Sequence, residues 1–257
     1  MQRFLKAITA IMLTVAVVCA TGCTKAEDPD NGGNGGNSIN GHEYVDLGLP
    51  SGTLWATCNL GAYGPEGYGD YFAWGETEPK TAFIWGNYKY CNDDLNLLNK
   101  YCNDPNHGSH GFTDNLTVLQ PGDDAATVNW GYFWRIPTEE QWRELKANTT
   151  NIWTTQNGVN GRLFTASNGN SLFLPAAGLG PANMVYSHSG SYGYYWSSSL
   201  YTDYPSRAWH LSFNSSICDM SHYNRHYGHS VRAVHSARQD QHLFYSHLGE
   251  TDRGEHH

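Results

Sequence analysis

Thirteen histidines, the carboxylate pair Asp123-Asp124 and many of the 17 tyrosines are residues of this 257-residue chain whose types could do chemistry. His222 and His226 stand four apart, the spacing at which two imidazoles on one helix face chelate a metal ion. Their segment, CDMSHYNRHYGH, is a poor helix former and reads as strand or loop. In an extended chain, residues four apart lie roughly 13 Å from each other, too far for one ion. Asp123-Asp124 could share acid–base work, but the flanking Gly and Ala supply no partner, and a loop or cap role fits better. No catalytic group, metal or other cofactor is expected.

Residues 186–234 point instead to recognition. A framework of Trp196-Ser197-Ser198-Ser199, Ala208-Trp209, Leu211, Phe213-Asn214, Met220, Asn224-Arg225, Gly228 and Ser230-Val231-Arg232 is threaded with polar and aromatic residues in no periodic order. In the segment 186–227 these are Tyr186, His188, Tyr192, Tyr194, Tyr201, Asp203, Tyr204, Ser206, Arg207 and His210. Ser212, Ile217, Cys218, Asp219, Ser221, His222, Tyr223, His226 and Tyr227 continue the set. Tyr, Ser, Asn, Arg and His are residues that binding surfaces favour, so this set is the candidate ligand-binding face.

The same residue types are reached from an Asn codon by changing only its two adenines, whereas Lys, Glu, Gln, Met and Trp are not. Between Asn157 and Arg238 there is no Lys, Glu or Gln, and Trp209 and Met220 fall at framework positions. Adenine-directed mutagenesis would leave this pattern. An ordinary Tyr/Ser/Asn-rich surface would leave a similar one, and the Lys/Glu/Gln gap begins well before the patchwork.

Alternation fixes how part of this set is held. Trp209, Leu211 and Phe213 alternate with His210 and Ser212, which predicts a half-buried strand with the Trp, Leu and Phe inside. His210, Ser212, Ile217, His222, Tyr223, His226 and Tyr227 are then expected to be largely exposed and close together. Upstream, Thr138 with Gln141 three residues later forms a capping box, and Glu139 and Glu140 suit the positive end of a helix whose Trp142 and Leu145 face the core. Strands are expected at 44–47, 53–58, 70–74, 162–167, 171–175, 195–200, 208–214 and 230–234, a helical turn within 121–129, and a long polar loop over 86–118.

Composition bounds the rest. Only 15% of residues are charged against 14% aromatic, with 28 Gly and 9 Trp, which describes a loop-rich folded domain rather than a disordered chain. A formal net charge of −9 leaves no basic stripe for phosphates, so nucleic acid is not an expected partner. Met1–Lys6 is basic, Ala7–Ala20 is apolar but short for a membrane span, and Ala20-Thr21-Gly22-Cys23 resembles a bacterial lipobox. The expected organisation is a signal peptide over 1–22, a lipidated Cys23 with a Gly/Asn tether to residue 40, a domain over 41–235, and a polar tail over 236–257. Cys91 and Cys102 are close enough to pair, though the four remaining cysteines allow three full pairings.

Several motifs in order resemble a known family. Gly41-His42-Glu43-Tyr44-Val45-Asp46-Leu47-Gly48-Leu49-Pro50-Ser51-Gly52, Gly69-Asp70-Tyr71-Phe72-Ala73-Trp74-Gly75-Glu76 and Trp134-Arg135-Ile136-Pro137-Thr138 look like the Fibrobacter succinogenes major paralogous domain. Phe173-Leu174-Pro175-Ala176-Ala177-Gly178, Tyr195-Trp196-Ser197-Ser198-Ser199 and Ser230-Val231-Arg232 continue the likeness. The resemblance implies an α+β, C-type-lectin-like domain of short antiparallel strands, few helices and many loops, related to the formylglycine-generating fold. It implies that the chain's two ends meet in one sheet. Some members resemble the variable proteins of diversity-generating retroelements in Bacteroidota, and 186–227 falls where those vary.

The expectation is therefore a non-enzymatic, lipid-anchored protein of the outer membrane, exposed at the cell surface. It would bind a protein or glycan on another cell, phage or host surface. A non-diversified adhesin of the same fold and a formylglycine-generating-type enzyme are the alternatives. The enzyme would need a second thiol beside Cys218 to hold copper. Calcium is not assumed, because the Glu-Pro-Asn, Gln-Pro-Asp and Trp-Asn-Asp signatures of calcium-dependent lectins do not occur. Trp55, Trp74, Trp134 and Trp196 are expected in the core.

Overall fold

The computed structural model describes residues 37–91, 94–182 and 185–236. The expected leader, Cys23, most of the tether and the tail beyond residue 236 lie outside these residues. In chain order the strands are β1 (Ser38–Ile39), β2 (His42–Asp46), β3 (Thr53–Ala56), β4 (Tyr71–Phe72), β5 (Thr149–Gln156), β6 (Val159–Ala166) and β7 (Ser171–Pro175). They continue as β8 (Leu179–Ala182), β9 (Val185–Ser187), β10 (Gly193–Leu200), β11 (Arg207–Phe213), β12 (Cys218–Asn224), β13 (His229–Ser230) and β14 (Val234–Ser236). Two short helices, α1 (Ala125–Trp130) and α2 (Glu139–Asn148), lie between β4 and β5. The fold is mostly β, built from several antiparallel sheets.

Both ends of the domain share one sheet, ordered β1-β2-β3-β14, with Val234 opposite Trp55 and Val45 on the other side of Trp55. The strand expected over 230–234 is in fact two pieces. β13 joins the sheet β12-β11-β10-β13-β4, the chain crosses at Val231–Ala233, and β14 starts at Val234. β1 and Ser236 belong to the terminal sheet, so the fold extends beyond both ends of the expected 41–235 boundaries. A third sheet, β5-β6-β7, contains a strand that the apolar pattern did not mark. β5, TTNIWTTQ, is half-exposed and Thr-rich. Its signal is the Asn157-Gly158 turn, both residues at positive φ (48° and 83°), which closes the β5–β6 hairpin.

α2 starts as the sequence dictates. Thr138 Oγ1 accepts from Gln141 N and the Gln141 side chain accepts from Thr138 N. Trp142 and Leu145 are fully buried among Trp55, Phe164, Leu174, Tyr195, Leu211 and Phe213, which come from all three large sheets. A second cluster gathers Trp74, Tyr88, Tyr90, Tyr101, Trp130, Trp134 and Trp196 under the 71–134 excursion. The four tryptophans expected in the core are each 0% exposed.

The carboxylate pair is structural. Asp124 caps α1, with Oδ1 accepting from Ala126 N and Thr127 N and Oδ2 from Ile136 N. Burial pushes its carboxyl up to about 6, against the pull of those three N–H donors. Asp123 accepts from the Tyr90 and Tyr101 hydroxyls and pairs with Lys100 at 2.5 Å. Cys91 and Cys102 are not bridged to each other. Their thiols donate to the carbonyls of Trp85 (3.4 Å) and Asp104 (3.1 Å).

Candidate recognition face

The five-stranded sheet carries most of the candidate residues, and its register sorts them. Trp196, His210 and Ser221 stand opposite one another on β10, β11 and β12, as do Tyr195, Leu211 and Met220 one step along. Successive side chains alternate, so these rows lie on opposite sides of the sheet. Tyr195 and Leu211 point into the α2 core. The other side begins in the core at Trp196 and His210 and opens towards Asp219, Ser221 and Tyr223 on the edge strand β12, all exposed.

Most of the framework is buried, the half-buried members being Trp209, Asn214, Met220 and Asn224. Trp196, Ala208, Leu211, Phe213, Arg225, Ser230, Val231 and Arg232 are each 0% exposed. Gly193 lies against the Phe213 ring, and a Cβ on Gly228 would come within 2.6 Å of Phe83, so neither position admits a side chain. Most interposed residues lie outside this core. His188, Asp203, Tyr204, Ile217, Asp219, Ser221 and Tyr223 are exposed, and Tyr192, Tyr194, Tyr201, Arg207, Ser212, Cys218, His222 and Tyr227 are half-buried. Tyr186 lies in β9.

Three expected contact residues are buried instead. His210 is 1% exposed, Ser206 4% and His226 8%. Trp209, expected inside, is half-buried, and Ser212, His222 and Tyr227 are half-buried rather than largely exposed. The alternation argument assumed one wet face. Here the outer side of β11 is also covered, because Tyr194, Trp196 and His229 pack round His210. Trp209 sits near the start of β11, covered by Tyr201, His222 and the Arg143 guanidinium. His226 turns onto Trp85, with ring centroids 4.5 Å apart.

What remains outside forms a strip of rings. His188 meets Tyr192, which stacks parallel to Tyr194 at 5.9 Å. Tyr194 reaches His210 and His229, which in turn meet Tyr223. Tyr223 packs on Tyr227 at 4.6 Å, and Tyr227 on His226 and so to Trp85. The floor is His229, stacked on Trp196 at 3.8 Å. Burial holds His229 well below the usual imidazole range, and pushes His210 down to about 3 and His226 to about 4. All three are neutral at pH 7. Burial also raises the Tyr194 hydroxyl to about 12, so the strip presents neutral rings.

A second group adjoins it across β12. Tyr201 stacks on His222 at 3.8 Å, and Arg207 lies over Tyr204, which also meets His107. Between the two groups is a recess of roughly 240 Å³ lined by Arg207, His222, Tyr223, Asn224 and Tyr227. Ile217 occupies the β11–β12 hairpin tip and Cys218 turns to the α2 side, so neither joins the strip. Asp219 is tied to Lys146 at 2.5 Å. His222 and His226 make separate ring contacts, and among the described residues no group of three or more His, Cys, Asp or Glu side chains could hold a metal.

Residues 136–234 are similar to a domain of unknown function, DUF8237. The matched span runs from just before α2 to the first residue of β14 and contains the recess and the strip of rings apart from Trp85. Comparison with curated proteins and with solved structures gives no match. Sequence reasoning missed Trp85, His229 and His107 as neighbours of the face, and Asn224 as part of the recess. Trp85 and His107 lie in the polar excursion, far in sequence from the His226 and Tyr204 rings they meet, and nothing local marks them.

Proposed function

We propose that this protein is a recognition module with a C-type-lectin-like domain, binding a ligand through the ring strip and the adjoining recess. The observation that carries this reading is the division of labour within one segment. Most of the regular framework is buried, while most interposed residues are exposed or half-buried on one sheet and its flanking turns. A scaffold arranged this way tolerates replacement at the face, because exposed changes cost within about 0.5 kcal/mol while large-to-small core changes cost about 2–5. Both ends of the described domain in one sheet, with a long excursion between, also suit the fold that the sequence resembles. Burial pushes the Cys218 thiol up, which works against the thiolate that the formylglycine-generating-type alternative would need.

Diversification is tested in the DNA. The interposed positions should use codons derived from AAC or AAT, and a near-copy of the segment with adenines at those positions should lie beside a reverse transcriptase gene. Ordinary mixed codons without such a copy would leave the non-diversified adhesin reading. Binding is tested by replacing Tyr192, Tyr223 and Tyr227 together with Ser. Melting should shift only slightly and capture of a ligand selected on the wild-type domain should be lost, whereas unchanged capture sinks the assignment of the face.

The anchor is part of the same proposal. The basic start, the short apolar run and Ala20-Thr21-Gly22-Cys23 motivate lipidation at Cys23. Cys23→Ala should move the protein from the membrane fraction to the soluble fraction. Equal incorporation of labelled palmitate in the variant would refute it.

A further inference from the structure

We infer that the recess beside β12 is a subsite for a carboxylate-bearing sugar, with Arg207 as the residue that reads the carboxylate. The inference rests on the recognition-face reading and names the ligand chemistry of one part of that face. Arg207 is half-buried, and its guanidinium lies over the Tyr204 ring at 5.5 Å. Among the described residues no carboxylate lies within ion-pair distance of it, in contrast to Arg143 and Lys146, which are both paired. Among the described residues its one side-chain hydrogen bond is a long one, 3.4 Å to His222 Nδ1. Because a guanidinium can only donate, His222 Nδ1 must accept and the ring proton sits on Nε2. Burial, and then Arg207 itself, lower the His222 pKa, so the imidazole stays a neutral donor beside the cation.

The remaining wall is polar and carries no negative charge. Asn224 contributes a carboxamide and Tyr223 and Tyr227 two phenols. One fixed cation, a neutral N–H donor, a carboxamide and two ring faces, lining a half-open recess of roughly 240 Å³, suit a single pyranose ring with one carboxylate. The guanidinium fork fits a carboxylate bidentately. The ring faces suit the C–H side of a sugar, and the carboxamide and phenols suit its hydroxyls. The nearby acid is Asp203, exposed and outside the recess wall, and its charge acts on His222 against that of Arg207 without prevailing.

The experiment uses the full domain and four probes in NMR titration: glucuronate, glucuronamide, glucose 6-phosphate and an aspartyl dipeptide. Glucuronate should shift the Arg207, His222 and Asn224 resonances saturably, and glucuronamide should bind roughly tenfold or more weakly, as expected when a charge-assisted pair is lost. Arg207→Gln should erase the difference between the two, while leaving melting unchanged. Equal binding of acid and amide, or an unaltered preference in Arg207→Gln, overturns the inference. Tighter binding of the phosphate or of the dipeptide overturns the sugar-carboxylate assignment. If no probe binds, yet the triple Tyr→Ser variant still loses its selected ligand, this inference fails alone and the recognition face stands.

Discussion

Replacing Arg225 with Met should unfold the face from beneath, although Arg225 touches no expected ligand. Arg225 is 0% exposed and has no carboxylate partner among the described residues. Its Nε donates to Tyr88 Oη, Nη1 to the carbonyls of Tyr101 and Pro205, and Nη2 to that of Lys100. The guanidinium also lies within 6.0 Å of the Trp74, Tyr88, Tyr90 and Tyr101 ring centroids. The side chain therefore pins the end of β12, and the turn bearing His226 and Tyr227, to the 71–134 excursion. Met fills the volume but leaves three carbonyls and a hydroxyl buried without donors, and breaking a buried charged network of this kind costs about 3–5 kcal/mol. Arg225→Lys should not rescue it, because one ammonium cannot reach four acceptors set in a planar fork. Chemical denaturation of wild type, Met and Lys variants checks this. A Met variant within about 1 kcal/mol of wild type would make the cage dispensable.

That dependence explains what was legible in the sequence and what was not. Patterns that act locally read correctly: the Thr138–Gln141 box starts α2, and the alternation at Leu211 and Phe213 points both into the core. His210 failed the same rule because its outer side is covered by β13 and by Tyr194, and no local pattern carries such long-range cover. The strand expected over 230–234 split because Val231–Ala233 crosses between two sheets, and Arg232 is spent there on the Ala56 and Thr57 carbonyls and Asn59 Oδ1. The framework in 186–234 was visible because buried residues are few in type. The recess was not visible, since it needs β11 and β12 in register and a turn that Arg225 holds in place.

Acid should weaken this domain well above the usual range of carboxylate titration, and the floor of the face is the reason. His210, His226 and His229 are at most 8% exposed, and His210 Nδ1, His226 Nδ1 and both nitrogens of His229 lack hydrogen-bond partners among the described residues. Each imidazole is held below its unfolded value of 6.5, two of them to about 3 and about 4. Below pH 6.5 the unfolded chain takes up protons at these sites and the folded chain does not. Stability from the three is thus complete above about 6.5 and lost as pH falls towards 4 and 3. At pH 5 the linkage amounts to about 2 kcal/mol for each group as an upper bound. Asp124 works in the opposite direction, because its folded carboxyl, raised to about 6, takes up a proton before the unfolded one does and returns part of the loss. The net expectation between pH 6.5 and 5 is falling stability with an excess uptake of about two protons on unfolding. Since the folded imidazoles beneath Tyr194, Tyr223 and Tyr227 stay neutral over this window, ligand capture should fall only to the extent that the domain unfolds. Melting curves from pH 7.5 to 4.5 with His229→Gln alongside wild type test the point. The variant starts less stable, because Trp196 loses its stacked ring, but its slope with pH should be shallower by about one proton. Equal slopes, or a flat profile in wild type down to pH 5, would show that these imidazoles titrate normally and that the floor of the face is wet.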